Sequence, residues 1–556
     1  MAIDTRFGVV VSETSPSDSS SAWEGVEAFA CRVEAHIERR TLAWTAALSL
    51  LYLGMVLPLS YVRLLWFDEL LTFWFCRFNS LSHLWWMLKG PVEGIPPLFY
   101  LITRGSEALF GENATALRVP GMVGYWVMSV AIYKFARKHT SSVFALLATM
   151  FPCVTFAYYY ACEARPYGMV LGCSALLLLF WREAVEASGR RRALAAAAIG
   201  VTMAFAVSIH YYAVFISLPI AAGELVRLVE RRKPDWLVWI AGAAGASVQL
   251  GYIPLIRTFM GIHKSPYEWN KPQMEFIWRS YATILGATLL PVGIVLVWLF
   301  VSWKGRDALG KPLLPRHEMA ACVTLALLPL LGYAAARTFI GMLSERYVIE
   351  TVIGFSLLFG LGTAKVSRNR RSIGLALLSL VLVGFIVLQC QNVHREYVVR
   401  NRYHQFDSAA VARSFNLPVT TGDTCGMLAL DYYGPREFTS RFVIAVDPDI
   451  ARHYDIPDTD HNIYLGGKGI LPIRVERFPD FLEHNDQFLI FGGPVGWMED
   501  YVLKRGARVQ IVLQTEKELL LLVTQHPAAA QTAGARPLPV RGTGSFSDAL
   551  AMSKVH

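Results

Sequence analysis

The chain has 556 residues, of which 54% are hydrophobic and only 17% charged, with a mean hydropathy of +0.38 and a formal net charge of +9. That apolar content excludes an ordinary soluble globular protein. The basic residues fall in short clusters between apolar runs instead of one patch, which argues against nucleic acid as a partner and for a polytopic α-helical membrane protein.

Met1 to Arg40 is polar, Ser-rich and then helix-like. It reads as a cytoplasmic N-terminal segment (1–40) without a cleavable signal, so the first apolar run, Thr41–Val62, is expected to be a retained anchor. The next stretch, 63–113, is expected to be a long outer loop. Within it, Phe67, Leu70, Leu71, Trp74, Phe78, Leu81, Trp85 and Leu88 recur at helical spacing on one face. Pro96–Phe110 is short and carries Arg104 and Glu107, and is read as an interfacial helix, not a span.

Ten further spans are predicted, for about eleven in all. They are Ala114–Tyr133, Ser141–Tyr160, Pro166–Trp181, Arg192–Ile209, Tyr211–Leu228, Asp235–Ile256, Phe276–Ser302, Met319–Ala336, Tyr347–Ala364 and Ser372–Cys390. Alternate breaks are rich in Arg and Lys: Lys134/Arg137/Lys138, Arg182/Arg190/Arg191/Arg192, Arg227/Arg231/Arg232/Lys233, Lys304/Arg306/Lys311/Arg316 and Lys365/Arg368/Arg370/Arg371. The excess of cations on cytoplasmic loops puts these breaks inside with Met1, and the other breaks, with everything after Cys390, outside. A small extracytoplasmic α/β domain is expected over 391–525. Its strands are predicted at Asp423–Tyr433 (or a strand leading into a helix), Arg441–Asp447, Gln487–Gly493, Arg508–Gln514 and Glu518–Thr524, with a helix at Trp497–Lys504. The Ala-, Pro- and Gly-rich tail 526–556 is expected to be disordered.

The eight cysteines (Cys31, Cys76, Cys153, Cys162, Cys173, Cys322, Cys390 and Cys425) form no Cys-x-x-Cys, and no His pair has zinc-finger spacing. Most sit in or beside apolar runs, where a thiol behaves as a small hydrophobe.

This topology gathers the chemistry on one face. Asp68-Glu69 follows the first span; Glu93-Gly94-Ile95-Pro96-Pro97, Glu163-Ala164-Arg165-Pro166-Tyr167, His210-Tyr211-Tyr212, the segment Arg257 to Lys271 with His263 and Lys264, and Ser344-Glu345-Arg346-Tyr347 share that side. Carboxylates are costly at a membrane surface and so call for a use. A carboxylate can take a proton from an attacking group, and Arg or Lys can neutralise a leaving phosphate. Aromatic rings can stack on a sugar. Plainer readings stand beside these: Glu69 as a cap of the interfacial helix, Glu93 as an exposed loop residue, Arg165 as a structural partner of Glu163, Arg346 as a headgroup anchor, and His210 and His263 as hydrogen-bonding loop residues.

Asp-Glu after the first span, Pro-Pro-Leu-Phe-Tyr before the second, the run from Phe110 to Pro120 ending Ala-Leu-Arg-Val-Pro, Tyr160-Ala-Cys-Glu163-Ala-Arg165-Pro-Tyr167 and Glu345-Arg346-Tyr347 occur in order over Thr41 to Ala364. Together they resemble the GT-C glycosyltransferases, in particular the aminoarabinose transferase, protein O-mannosyltransferase and rhizobial lipopolysaccharide galacturonosyltransferase-like groups. One departure is that Arg346-Tyr347 runs into Val348-Ile349-Glu350, where the family often has Pro. The resemblance implies a GT-C fold of about 11 transmembrane helices, with a catalytic domain over 41–390. It implies a polyprenyl-phosphate sugar donor, an inverted product, and a lipid, glycan or protein acceptor. Asp68, Glu69 and Glu163 are then the catalytic candidates, with Asp68 leading. Arg165, Lys264, Arg346 and Arg257 are candidates for the donor phosphate, and Glu93, Tyr167, His210, Tyr211 and Tyr347 for the substrate pocket. A divalent metal is left open, with Asp68, Glu93 and His263 as candidate ligands. The implied place is the cell inner membrane, next to membrane lipids, with a flippase as an indirect partner.

Two other classes are weighed. A transporter or lipid flippase would place its ionisable residues near the midplane and show a doubled architecture, whereas here the charges gather at one surface and no repeat is seen. A non-catalytic subunit of envelope glycan assembly would tolerate loss of Asp68.

Overall fold

The structure is a computed structural model that describes residues 16–262, 271–304, 313–403, 407–421, 424–453, 459–492, 497–515 and 518–525. In lipid a long apolar run satisfies its own backbone only as a helix. Eight described helices are long and apolar enough to cross: Thr41–Val62, Ala114–Ala136, Tyr167–Glu186, Gly189–Ile209, Tyr211–Arg231, Trp236–Met260, Glu275–Trp298 and Arg371–Asn401. Two bent pairs, Ser142–Val154 with Phe156–Cys162 (74°) and Arg316–Ala326 with Leu328–Phe339 (63°), raise the number to ten if each is one span. The count is thus eight to ten, against the eleven expected. The remaining segment is the helix Thr351–Val366. Its 16 residues reach about 24 Å, short of a hydrocarbon core of about 30 Å.

The first nine α-helices in chain order build most of the part that carries the site, and the short helical turns Tyr211–Ile216 and Glu345–Val348 complete it. The nine are α1 (Pro16–Arg39), α2 (Thr41–Val62), α3 (Phe67–Phe75), α4 (Leu81–Leu88), α5 (Pro97–Phe110), α6 (Ala114–Ala136), α7 (Ser142–Met150), α8 (Tyr167–Glu186) and α9 (Gly189–Ile209). Helices α6 and α8 touch backbone to backbone: a Cβ on Gly124 would stand 2.4 Å from the Gly168 carbonyl oxygen. Small residues permit this approach, which fixes the first half of α6 against the start of α8.

Helix α1 ties down the far end of the bundle. Glu34 Oε1 accepts from the Ser142 N–H at the start of α7 (3.0 Å), and Glu27 accepts from the Arg371 and Ser372 N–H groups at the start of the helix Arg371–Tyr403 (2.7 and 2.9 Å). These carboxylates satisfy donors that a helix start leaves open and sit at its positive end. The starts of α7 and of the Arg371 helix therefore share one face with α1, and the loops carrying Asp68, Glu163, His210 and Arg346 lie at the other ends of their spans.

The helix Arg371–Tyr403 runs unbroken through the expected domain boundary at Cys390. Beyond it, β1 (Val419–Thr420), β2 (Val443–Val446), β3 (Arg474–Arg477), β4 (Gln487–Gly492), β5 (Arg508–Gln514) and β6 (Leu519–Thr524) form the α/β part. β2 pairs with β3 and β1 with β4, all parallel; β6 is antiparallel to β4 and β5. A parallel bridge from Val419 to Phe442 joins the two groups in the order β3-β2-β1-β4-β6-β5. Of the two readings of Asp423–Tyr433, a strand or a strand leading into a helix, the second is the nearer: the helix Thr424–Tyr433 follows β1, because two parallel strands need a crossover between them. Strand β3 escaped sequence reading since it holds three charged residues in four. The tail 526–556 lies outside the described residues.

This part docks onto the segment 63–75 and its neighbours. Leu65, Leu70, Leu71, Leu117 and Ala164 from the membrane part share one apolar core with Met427, Leu428, Phe438, Ile444, Leu489 and Leu520. The Leu65 N–H donates to Tyr433 Oη at 2.7 Å, and Tyr432 meets Phe73 edge-on with centroids 5.0 Å apart.

Candidate active site

The first turn of α3 is the centre. It follows the end of α2 after a short extended link, so Trp66, Asp68 and Glu69 leave the membrane end together. The three residues after Cys162 grip this turn. Glu163 Oε1 accepts from the Trp66 indole N–H (2.9 Å), the Ala164 N–H donates to Glu69 Oε1 (2.7 Å), and Arg165 Nη1 donates to the Asp68 carbonyl (3.2 Å).

Glu69 is fully buried and forked to Arg118, with Nε–Oε1 and Nη2–Oε2 both 2.7 Å. Burial pushes its carboxyl up, but the Arg118 and Arg63 guanidiniums and the Ala164 N–H outweigh that and hold it below its ordinary value. Arg118 uses its other donors on the carbonyls of Ser60, Arg63 and Leu64 (2.7, 2.9 and 3.0 Å). It therefore closes the C-terminal end of α2, where carbonyls lack helical partners and the dipole is negative. Glu69, expected among the catalytic carboxylates, is spent on this clamp, and the cap reading of it is the one that the geometry favours. Arg118 was missed as a site residue, although it lies in the Ala-Leu-Arg-Val-Pro run; an arginine inside a predicted span was the available signal.

Asp68 turns the other way. Its Oδ2 accepts from Arg346 Nη1 at 2.6 Å, with Arg165 Nε at 3.9 Å. Both side chains stay partly open, 13% and 15% exposed. Arg165 is forked to Glu93 (Nη1–Oε2 2.6 Å, Nη2–Oε1 3.0 Å) with the pair only 6% and 4% exposed, and it also reaches Thr72 Oγ1 at 3.3 Å. The structural partner of Arg165 is thus Glu93, not Glu163, and Glu93 is enclosed instead of being a free loop residue.

Glu163 is 1% exposed and its Oε2 has no hydrogen-bond partner. Burial lifts its carboxyl to about 7, and the nearby Glu69 and Asp68 charges add to the shift while Arg63 and Arg346 oppose it. Arg63 stacks on the Tyr159 ring at 3.7 Å and donates to the Cys162 carbonyl.

An aromatic wall closes the site. Tyr167 packs on His210 (5.3 Å), His210 on Tyr347 (5.5 Å), and Tyr212 stacks on Tyr347 (4.3 Å). The rings of Trp66, Tyr167 and Tyr347 all stand about the Arg346 guanidinium, at 6.0, 5.9 and 5.9 Å. Burial, with Arg165 and Arg346 beside it, drives His210 down to about 3, so it is a neutral ring at physiological pH. Tyr211 turns away towards Tyr252. Arg257 is exposed on the helix Ile253–Ile262 and takes no part in the ion pairs described. From that helix, Phe259 covers Gly94, where a Cβ would stand 2.6 Å from the ring. His263 and Lys264 lie outside the described residues.

A metal does not fit what is described. Among the described residues no three of His, Cys, Asp and Glu converge, and Asp68 and Glu93 each hold a guanidinium where a cation would sit.

Residues 95–249, under a third of the chain, match the family model described as dolichyl-phosphate-mannose-protein mannosyltransferase. No curated protein gives a significant match. Among solved structures, ArnT from Cupriavidus metallidurans in the apo state superposes with a TM-score of 0.59 at 11% identity, covering 89% of this chain and 99% of that one. The same protein bound to undecaprenyl phosphate gives 0.57 at 12% identity, with the same coverage. At such identity the likeness is one of fold. The chain thus shares the fold of ArnT, and its residues 95–249 are similar to the mannosyltransferase family.

Proposed function

We propose that this protein transfers a sugar from a polyprenyl-phosphate donor to an acceptor at the outer face of the membrane. The observation that carries the reading is the Asp68–Arg346 pair, mostly enclosed but not sealed, set in an aromatic wall at one end of the bundle. It offers a proton acceptor and a phosphate ligand side by side, close to the ends of apolar helices. That ArnT has been solved with undecaprenyl phosphate bound, on the same fold, supports the donor class.

In this reading the acceptor hydroxyl or amine gives its proton to Asp68 as its oxygen or nitrogen bonds to the anomeric carbon. The bond from that carbon to the phosphate oxygen breaks, and the phosphate leaves with the electron pair. Arg346 neutralises the charge that grows on it. Attack opposite the leaving phosphate inverts the anomeric centre. Tyr167, Tyr347 and His210 form the stacking surface for the sugar. The catalytic candidates narrow to Asp68, with Glu163 beside it as a largely enclosed second carboxyl. Arg346 is the favoured phosphate ligand.

The test is transfer itself. Purified protein in lipid nanodiscs is given polyprenyl-phosphate sugars and an envelope extract, and products are read by mass spectrometry. Sugar should leave the carrier lipid in the wild type, and Asp68→Asn should slow it on the order of a hundredfold or more. Equal turnover in the two proteins would remove Asp68 from the mechanism.

A further inference from the structure

The two carboxylate–guanidinium pairs in the site differ in kind. Glu93–Arg165 is forked, with both nitrogens engaged, and nearly sealed from solvent. Asp68–Arg346 is joined by one hydrogen bond at 2.6 Å and is less enclosed, at 13% and 15% exposed, with Arg165 Nε standing further off at 3.9 Å. Forked, buried pairs are hard to part, because opening one leaves charge without a partner in a poor dielectric. A contact through one nitrogen gives up fewer hydrogen bonds when it opens. Arg165 is further fixed by the Asp68 carbonyl and Thr72, so it serves as scaffold. Arg346 is held round its edge by Trp66, Tyr167 and Tyr347, and rings tolerate a swing that a fork would not.

One guanidinium therefore meets two claimants. With no donor present, Arg346 neutralises Asp68 and keeps it from acting as a base. The phosphodiester of the donor carries a full charge on two unesterified oxygens that can take a fork from a guanidinium, and competes for the same N–H groups. We propose that the donor phosphate draws Arg346 away from Asp68 and so switches the base on, which makes donor binding the compulsory first step and keeps Asp68 inactive on an empty enzyme. The inference rests on the proposed function above, which supplies the donor phosphate. No covalent bond changes in this step; one ion pair is exchanged for another, and the freed carboxylate is the species that takes the acceptor proton.

The consequence is opposite to the usual expectation for a catalytic substitution. If Asp68 competes with phosphate, Asp68→Asn should bind the donor lipid more tightly while failing to transfer. Apparent affinity falls by the fraction of time that the binding group is free. A pair closed about nine-tenths of the time predicts roughly tenfold tighter binding once the competitor is neutral. Asp68→Glu, which keeps the competing charge, should stay near the wild type, and Arg346→Gln should lose most of the binding.

The experiment measures undecaprenyl phosphate binding to full-length protein in nanodiscs, with neutral undecaprenol as control and Asp68→Ala as a second neutral variant in case Asn fails to fold. Tighter binding of the phosphate alone, in either neutral variant, supports the switch. Wild-type binding that Asp68→Asn and Asp68→Ala leave equal or weaker overturns it and leaves the proposed function standing. Equal tightening towards undecaprenol also overturns it, since the gain would not be electrostatic. No phosphate-dependent binding in any variant, wild type included, brings down the donor reading and the switch with it.

Discussion

At the scale of single residues, the site sorts its acids by what each one faces. Glu69 meets a fixed guanidinium and is structural; Arg118→Met should strip that carboxylate of its fork and open three carbonyls at the end of α2. Loss of one partner from such a buried pair costs about 3–5 kcal/mol, so the variant should unfold well below the wild type in a thermal melt. Unchanged melting would show that the clamp carries no stability. Glu163 meets no such partner on Oε2, and its folded value of about 7 stands above its ordinary 4.5. The folded state then holds this proton more tightly than the unfolded state, so stability falls as pH rises through that window and is greatest below it. Glu163→Gln should flatten this slope and melt higher than the wild type at pH 8, with little difference at pH 4.5. Parallel melting curves across the range would refute the assignment. The acidic residues themselves were legible in the sequence, since charge beside a span is conspicuous. Their division of labour was not. Adjacent Asp68 and Glu69 differ by about 100° round a helix, and only packing shows that one side is filled by α6.

At the scale of elements, α3 is sandwiched. Its grip on the membrane part is the 163–165 segment and Arg118; its other face belongs to the α/β part through Leu70 and Leu71. The helical spacing over Phe67–Leu88 predicted an amphipathic stretch, and α3 and α4 form there with a break between them. Spacing alone read its apolar face as facing headgroups. Much of it is buried under protein instead: Leu70 and Leu71 pack on the α/β part, supplied by residues hundreds of positions away, and Phe78 and Leu88 join the core of the helical bundle. Tyr433 is the sharpest probe of that contact. Tyr433→Phe keeps the ring and removes the oxygen that accepts from the Leu65 N–H, three residues before Asp68. An orphaned N–H costs about 1–3 kcal/mol, and the loosened link should lower turnover while donor binding changes little. Sugar transfer and donor binding measured side by side decide it; equal turnover in the variant would show that the α/β part does not steady Asp68.

At the scale of the whole molecule, the two ends of the bundle are chemically distinct. One end carries α1 with Glu27 and Glu34 set on the starts of α7 and the Arg371 helix, amid the basic clusters; the other carries the ion pairs round Asp68 and the α/β part. Charge alternation along the sequence predicted this partition, because each span must reverse the side of the next loop. It could not show that two spans bend by 74° and 63°, since hydropathy averages over a break in direction. The partition turns on the apolar helix α5. Its 14 residues span about 21 Å, too little for the hydrocarbon core, and Glu107 is engaged by Arg77 from the same outer loop at 2.9 Å. If α5 crossed, every later loop would change sides, and the basic clusters would face outward against the charge rule. A reporter fused after Leu109 should therefore register outside, one after Lys138 inside, and one after Gln391 outside. Leu109 and Lys138 on exchanged sides would invert the bundle and separate Asp68 from the outer leaflet, where the proposed donor must present its phosphate.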